Sequence, residues 1–198
     1  MDFNKEMFLE EEWKSDFFGI VKSNQFANKL KETAIKCQLK EWTEVLTEVV
    51  VKVCDKRKWL MAAKGFKLDF LPEARSEYLG IDVIAFEDIK AMWPFPVAAI
   101  ELENSRNDNR IAYSLWKVLN LRTSLRIVFC YRSLIEKGPP LIRHLNNSVI
   151  DSMGINERLK IDGVTIVVIG YRNKIETFPY GFFKWWKLNL NIGKFELY

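Results

Sequence analysis

Two stretches of this chain, SLRIVFCYR (residues 124–132) and GVTIVVIGYR (163–172), are almost unbroken runs of apolar and β-branched residues. A strand with one face in water alternates polar and apolar residues. A continuous run reads instead as a strand buried on both faces, which is the pattern of a parallel sheet covered by helices. The surrounding sequence offers such helices. From about Asn24 to Asp55, Leu30, Ala34, Trp42, Val45, Leu46, Val49 and Val53 recur at steps of three and four, which predicts one long amphipathic helix. Ser105, Asn107 and Asp108 offer caps for a second helix running to about Leu121, with Ile111, Leu115, Val118 and Leu119 on its apolar side. Pro139-Pro140 opens a third, ending near Gly154.

Between the first two helices lie WLMAAKGFKLDF, YLGIDVIAF and, after the breaker WPFP, PVAAIELEN, all of extended character. The expected order is helix, three-strand meander, helix, strand, helix, strand: an α/β domain with a mixed central sheet flanked by helices. At 198 residues, 48% hydrophobic and 28% charged, with no repeat or Ser/Gly/Pro-rich linker, residues 1–198 read as a single domain. The last 25 residues or so, the aromatic segment 173–198, resist assignment. No apolar run is long enough to span a bilayer. The start MDFNKEMFLEEEW is acidic where a signal peptide is basic and then apolar, so a cytoplasmic location without a membrane partner is expected. Cys37, Cys54 and Cys130 form no CxxC pair, and His144 is the one histidine. A disulfide framework, a zinc site and a histidine-based triad are therefore excluded as expectations; His144, between Ile142 and Leu145, reads as structural.

Charge is distributed unevenly. Lys and Arg against Asp and Glu number 7 to 10 over residues 1–50 (−3), 8 to 9 over 51–104 (−1) and 15 to 7 over 105–198 (+8). A basic half beside an acidic cluster suits a polyanionic partner such as DNA, or an ordinary solvated basic surface.

The acids are the more telling feature. Alternate residues of a strand share a face, so Val97, Ala99, Glu101 and Glu103 point one way and Ala98, Ile100 and Leu102 the other. In the preceding strand Asp82 shares a face with Ile84 and Phe86, a costly place for an unpaired charge. Neither strand contains a Lys or Arg. Three converging carboxylates without a basic partner repel one another unless a cation lies between them, and all-oxygen ligation points to Mg²⁺ or Mn²⁺. Glu77, at the start of the Asp82 strand, and Glu44 or Glu48 on the first helix are further ligand candidates, each also readable as a surface acid.

An opening helix, a meander carrying GID (Gly80, Ile81, Asp82), a strand ending in ELE (Glu101, Leu102, Glu103), then a helix and a strand resemble the PD-(D/E)xK, or restriction-endonuclease-like, nuclease superfamily. The resemblance covers about residues 25–132. It implies the restriction-endonuclease-like core, a divalent-metal-dependent deoxyribonuclease hydrolysing DNA phosphodiester bonds, and Asp82 and Glu101 as metal ligands. Glu103 stands where the motif has Lys, an exchange that some type II restriction endonucleases carry while remaining active. Asp82, Glu101 and Glu103 are thus the implied catalytic set, with Glu103 joining the metal or acting on the water. Duplex-cutting members often pair, so a homodimer is implied by analogy. The helix after ELEN carries Arg110, Tyr113, Ser114 and Lys117 as a polar stripe, which with Arg106 is expected to hold the DNA backbone or to be a solvated face. Asn109 and Tyr113 are weakly similar to the QxxxY element of some of these nucleases. FFKWWK (182–187) could stack nucleic-acid bases, though core or subunit interface is the favoured reading. The alternatives to a nuclease are an inactive nucleic-acid-binding protein on the same fold and a protein-interaction module.

Overall fold

The computed structural model describes residues 8–69, 71–75, 77–87 and 91–198; the first seven residues of the acidic start lie outside these. Among the described residues three helices come first: α1 (Leu9–Val21), α2 (Asn24–Ile35) and α3 (Leu39–Lys56). Strands β1 (Leu60–Ala63), β2 (Val83–Phe86) and β3 (Ala98–Leu102) follow, then α4 (Asp108–Leu119) and β4 (Leu125–Arg132). Next come α5 (Gly138–Leu145), whose last turn widens into a π-turn over Asn146–Ile150, the single turn α6 (Ile155–Arg158) and β5 (Val164–Tyr171). A hairpin, β6 (Phe183–Asn189) and β7 (Lys194–Leu197), ends the chain.

The seven strands form one mixed sheet in sequence order. β1, β2 and β3 are successively antiparallel, β3, β4 and β5 are parallel, and β6 and β7 return antiparallel. The two continuous apolar runs are β4 and β5 in its middle, and apart from the first residue of β5 both are buried along their whole length. Helices α1, α2 and α3 pack one face, where Trp13, Phe17, Trp42 and Leu46 meet Ile100, Ile127, Phe129 and Val168. Helices α4 and α5 pack the other, where Ile111, Leu115, Leu141 and Leu145 meet Ala99, Val128, Val167 and Ile169.

Three expectations change. The long helix from Asn24 to Asp55 is two helices. Cys37 takes a left-handed backbone (φ 55), and the N–H groups of Cys37 and Gln38 donate to the carbonyls of Ala34 and Thr33. This is a Schellman closure, and because the usual glycine is absent the apolar period runs through it unmarked. The helix α1 also precedes the expected opening helix. The aromatic tail is the β6–β7 hairpin, and in FFKWWK the side chains of Phe182, Phe183 and Trp185 are core, the favoured of its two readings. His144 is half-buried, with Ser148 Oγ 3.3 Å from its Nδ1.

Helix α4 is fixed at both ends. Asn107 caps it by accepting from the Asn109 N–H at 2.9 Å. At its far end the buried Arg126 donates to the carbonyls of Val118 (3.0 Å) and Leu121 (2.6 Å), satisfying groups that a helix terminus leaves open. Arg126 also donates to the Asp162 carbonyl at 2.5 Å, tying in the turn before β5. In that turn Gly163 has φ +67, and a Cβ there would stand 2.5 Å from the Ser124 carbonyl oxygen and 2.8 Å from that of Thr123. Gly163→Ala is expected to destabilise the fold by about 1–2 kcal/mol or more. Urea unfolding checks this: the midpoint should fall with the slope unchanged.

Candidate functional site

The acidic residues are brought together by register. β2 pairs Val83 with Ile100 and Ile84 with Ala99, so one further antiparallel step sets Asp82 opposite Glu101. Both belong to the α4 side of the sheet. A tight turn delivers Asp82: Leu79 and Gly80 both have positive φ (56 and 66), and the Ile81 N–H closes on the Tyr78 carbonyl at 3.0 Å. Asp82 then accepts the Leu102 N–H at 2.8 Å, which joins the GID turn to the ELE strand.

The cation missing from both strands comes from α4. Lys117 Nζ lies 2.8 Å from Glu101 Oε1 and donates to the Gly80 carbonyl at 2.7 Å. Lys117 is thus a partner of the acidic cluster, one-fifth exposed, and not part of a free, solvated stripe. Its ammonium pairs with Glu101 Oε1 and the Ser114 hydroxyl also hydrogen-bonds that carboxyl, so Glu101 is a buried carboxylate on the cleft wall, partnered from α4 by a lysine and a serine. Ser114, which shares the stripe on sequence, is buried beside Glu101. Sequence reasoning overlooked this pair, although the signal was present. Ser114 is three residues after Ile111 and four before Val118, which is a core-facing position, and Lys117 follows it by one turn.

Together Asp82, Glu101, Glu103, Asn109, Arg110, Tyr113, Ser114 and Lys117 line a cleft of about 400 Å³. Glu103 is half-buried, and its Oε1 accepts the Ser105 N–H at 2.8 Å. Arg110 and Tyr113 stand exposed at the rim. Glu77 is exposed but close enough to Asp82 to repel its charge. Glu44 and Glu48 are not brought in: they are exposed on α3, which packs the opposite face of the sheet. Arg106 lines a neighbouring cleft instead.

Burial pushes the Asp82 carboxyl above its ordinary range; the Leu102 N–H and Lys117 pull it back, while Glu77 and Glu103 push it further up. Burial likewise raises Glu101, against the pull of Lys117 and with the push of Asp82. The pair is therefore a local excess of negative charge that one ammonium does not balance, and a cation entering the cleft would relieve it. Among the described residues, no three His, Cys, Asp or Glu side chains are already gathered around one point as a metal would gather them. Cys54 and Cys130 are buried, with thiols pushed up to about 12, and take no part in nucleophilic chemistry.

Comparison with protein-family models, with curated proteins and with solved structures finds no match.

The raised carboxyls carry a pH signature. A carboxyl whose folded value lies above its unfolded value, near 3.8 for Asp82, costs stability once pH rises through the folded value and costs nothing below about pH 3.8. Asp82→Asn removes that charge, and the amide oxygen still accepts the Leu102 N–H. In the absence of divalent ions the variant is expected to melt a few degrees above the parent at pH 7, the advantage shrinking as pH falls toward 4. A difference independent of pH, or a lower melting temperature at pH 7, would show that Asp82 is not held as a strained charge.

Proposed function

We propose that the chain is a divalent-metal-dependent deoxyribonuclease of restriction-endonuclease-like type, with Asp82, Glu101, Glu103 and Lys117 as its working residues. The observation that supports this most is the Asp82–Glu101 pair facing across β2 and β3 with a lysine ammonium beside it. That set of groups suits phosphodiester hydrolysis. The donor set suits Mg²⁺ or Mn²⁺, being all carboxylate oxygen: Asp82 and Glu101 would hold the ion, with Glu103 and Glu77 near enough to add oxygen atoms directly or through water. When bound, such an ion polarises the phosphoryl oxygen and lowers the pKa of a bound water.

The chain's own groups supply the rest. Lys117, coming from the helix, offers the positive charge that the motif lysine would offer from the strand, and neutralises charge developing on the phosphoryl group. Glu103, on the same strand face as Glu101, is the group available to take the proton of the attacking water as the phosphorus–oxygen bond to the leaving strand breaks. Arg110 and Tyr113 at the rim hold the substrate backbone. A second reading, a nucleic-acid-binding protein without catalysis, is favoured by one observation: Lys117 already neutralises one of the two facing carboxylates.

Incubation of linear, circular and single-stranded DNA with Mg²⁺ or Mn²⁺ separates the two. Cleavage by the parent, reduced at least a hundredfold in Glu101→Gln and in Lys117→Met while both variants keep DNA affinity in Ca²⁺, is the expected result. Binding without cleavage by the parent on every DNA form would favour the second reading.

A further inference from the structure

Beside the acidic cleft lies a larger one, of about 700 Å³, to which the hydrolytic reading gives no role. It opens at the carboxyl ends of the parallel strands β3, β4 and β5. Its walls include Asn104, Arg106, Arg132, Lys137 and Arg172. The segment from Glu103 to Arg110 separates the two clefts: Glu103, Asn109 and Arg110 face the acidic one, while Asn104, Arg106 and Asp108 face the larger one.

The larger cleft is electropositive in a way that composition alone does not reveal. The cation of Arg132 is buried and consumed, since it pairs with Asp108 and donates to the carbonyls of Ser105 (3.1 Å) and Tyr131 (2.8 Å). Arg106, Lys137 and Arg172 are different: among the described residues no carboxylate lies within ion-pair distance of any of them. Glu136 is the one opposing wall acid without such a pair, and it is exposed. The Arg172 guanidinium is drawn to the wall by its hydrogen bond to Cys37 Sγ, which orients it without neutralising it. Three cations against one free acid, in a concavity of the size that encloses small organic ligands, are suited to phosphate oxygens.

We propose that this cleft binds phosphates of the substrate strand flanking the bond to be cut, with Arg106, Lys137 and Arg172 as the phosphate-binding groups, so that the strand runs from it across the first turn of α4 into the acidic cleft. The inference rests on the nucleic-acid reading of the acidic cleft and adds to it where the strand lies. A polyanion cannot be held by the acidic cleft alone, because Asp82, Glu101 and Glu103 repel it. A neighbouring field of unpaired cations supplies the attraction.

The test measures binding of a fluorescein-labelled single-stranded DNA 20-mer to the full chain in Ca²⁺ over a range of salt concentrations, for the parent, Lys137→Gln/Arg172→Gln and the exposed-site variant Lys137→Glu. Affinity is expected to drop on the order of tenfold in the double variant, and the slope of log affinity against log salt to flatten by roughly 0.7 for each phosphate that the variant no longer neutralises. The melting temperature and Mn²⁺ affinity should stay at parental values. Lys137→Glu should weaken binding in the same direction, which answers any loss of folding in the double variant. Unchanged affinity and slope in both variants overturn the inference; with cleavage also intact, the hydrolytic reading survives it. Weakened binding in both variants of a chain that cuts no DNA form supports the cleft and removes the hydrolytic reading. A parent that binds no DNA overturns both.

Discussion

The Lys117 ammonium organises this end of the molecule. It reaches from α4 to the carbonyl of Gly80 and to the carboxylate of Glu101, so one side chain joins a helix, a turn and a strand. Two facing carboxylates on the buried side of a sheet are tolerable because this charge stands between the turn and the strand, and because Asp82 accepts a backbone N–H. The reach of Lys117 depends in turn on the position of α4. That position is held by the Asn107 cap at one end, by Arg126 collecting carbonyls at the other, and by Arg132 gripping Asp108 near the start. Two buried arginines on β4 thus serve, at a distance, to aim one lysine.

The charge on the sheet ends is divided. Acids gather where the antiparallel meander meets the first parallel strand, and unpaired cations gather over the ends of the parallel strands beyond it. An acidic cleft by itself attracts metal ions and repels nucleic acid. Under the proposed reading, the adjoining cations supply the attraction for a polyanion that the acidic cleft lacks.

Much of this was readable from residues alone. The runs in β4 and β5 announced doubly covered strands, and period-two spacing put Glu101 and Glu103 on one face with Asp82 on a neighbouring strand. The meander, α4 with its Asn107 cap, and the helix opened by Pro139-Pro140 fall where the signals put them. Other features were hidden for physical reasons. Cys37 adopts a conformation that glycine would have advertised, so two helices read as one. Lys117 read as a group for the DNA backbone or a solvated face, because helical spacing does not say how far a long side chain will bend toward a buried carboxylate. The neutralising base lies on neither strand: it comes from α4, close in space and distant in sequence. Glu48 failed in the opposite sense: it is near in composition to a ligand, but α3 lies against the other face.

The hydrolytic reading depends on the Asp82–Glu101 pair being a cation site. Crystals soaked in Mn²⁺ and measured near the manganese absorption edge test it most directly. The expected result is one strong anomalous peak in the cleft, within about 2.0–2.3 Å of a carboxylate oxygen of both Asp82 and Glu101, with Lys117 drawn away from Glu101. No peak in that cleft at saturating Mn²⁺, with the Lys117–Glu101 pair intact, would contradict it.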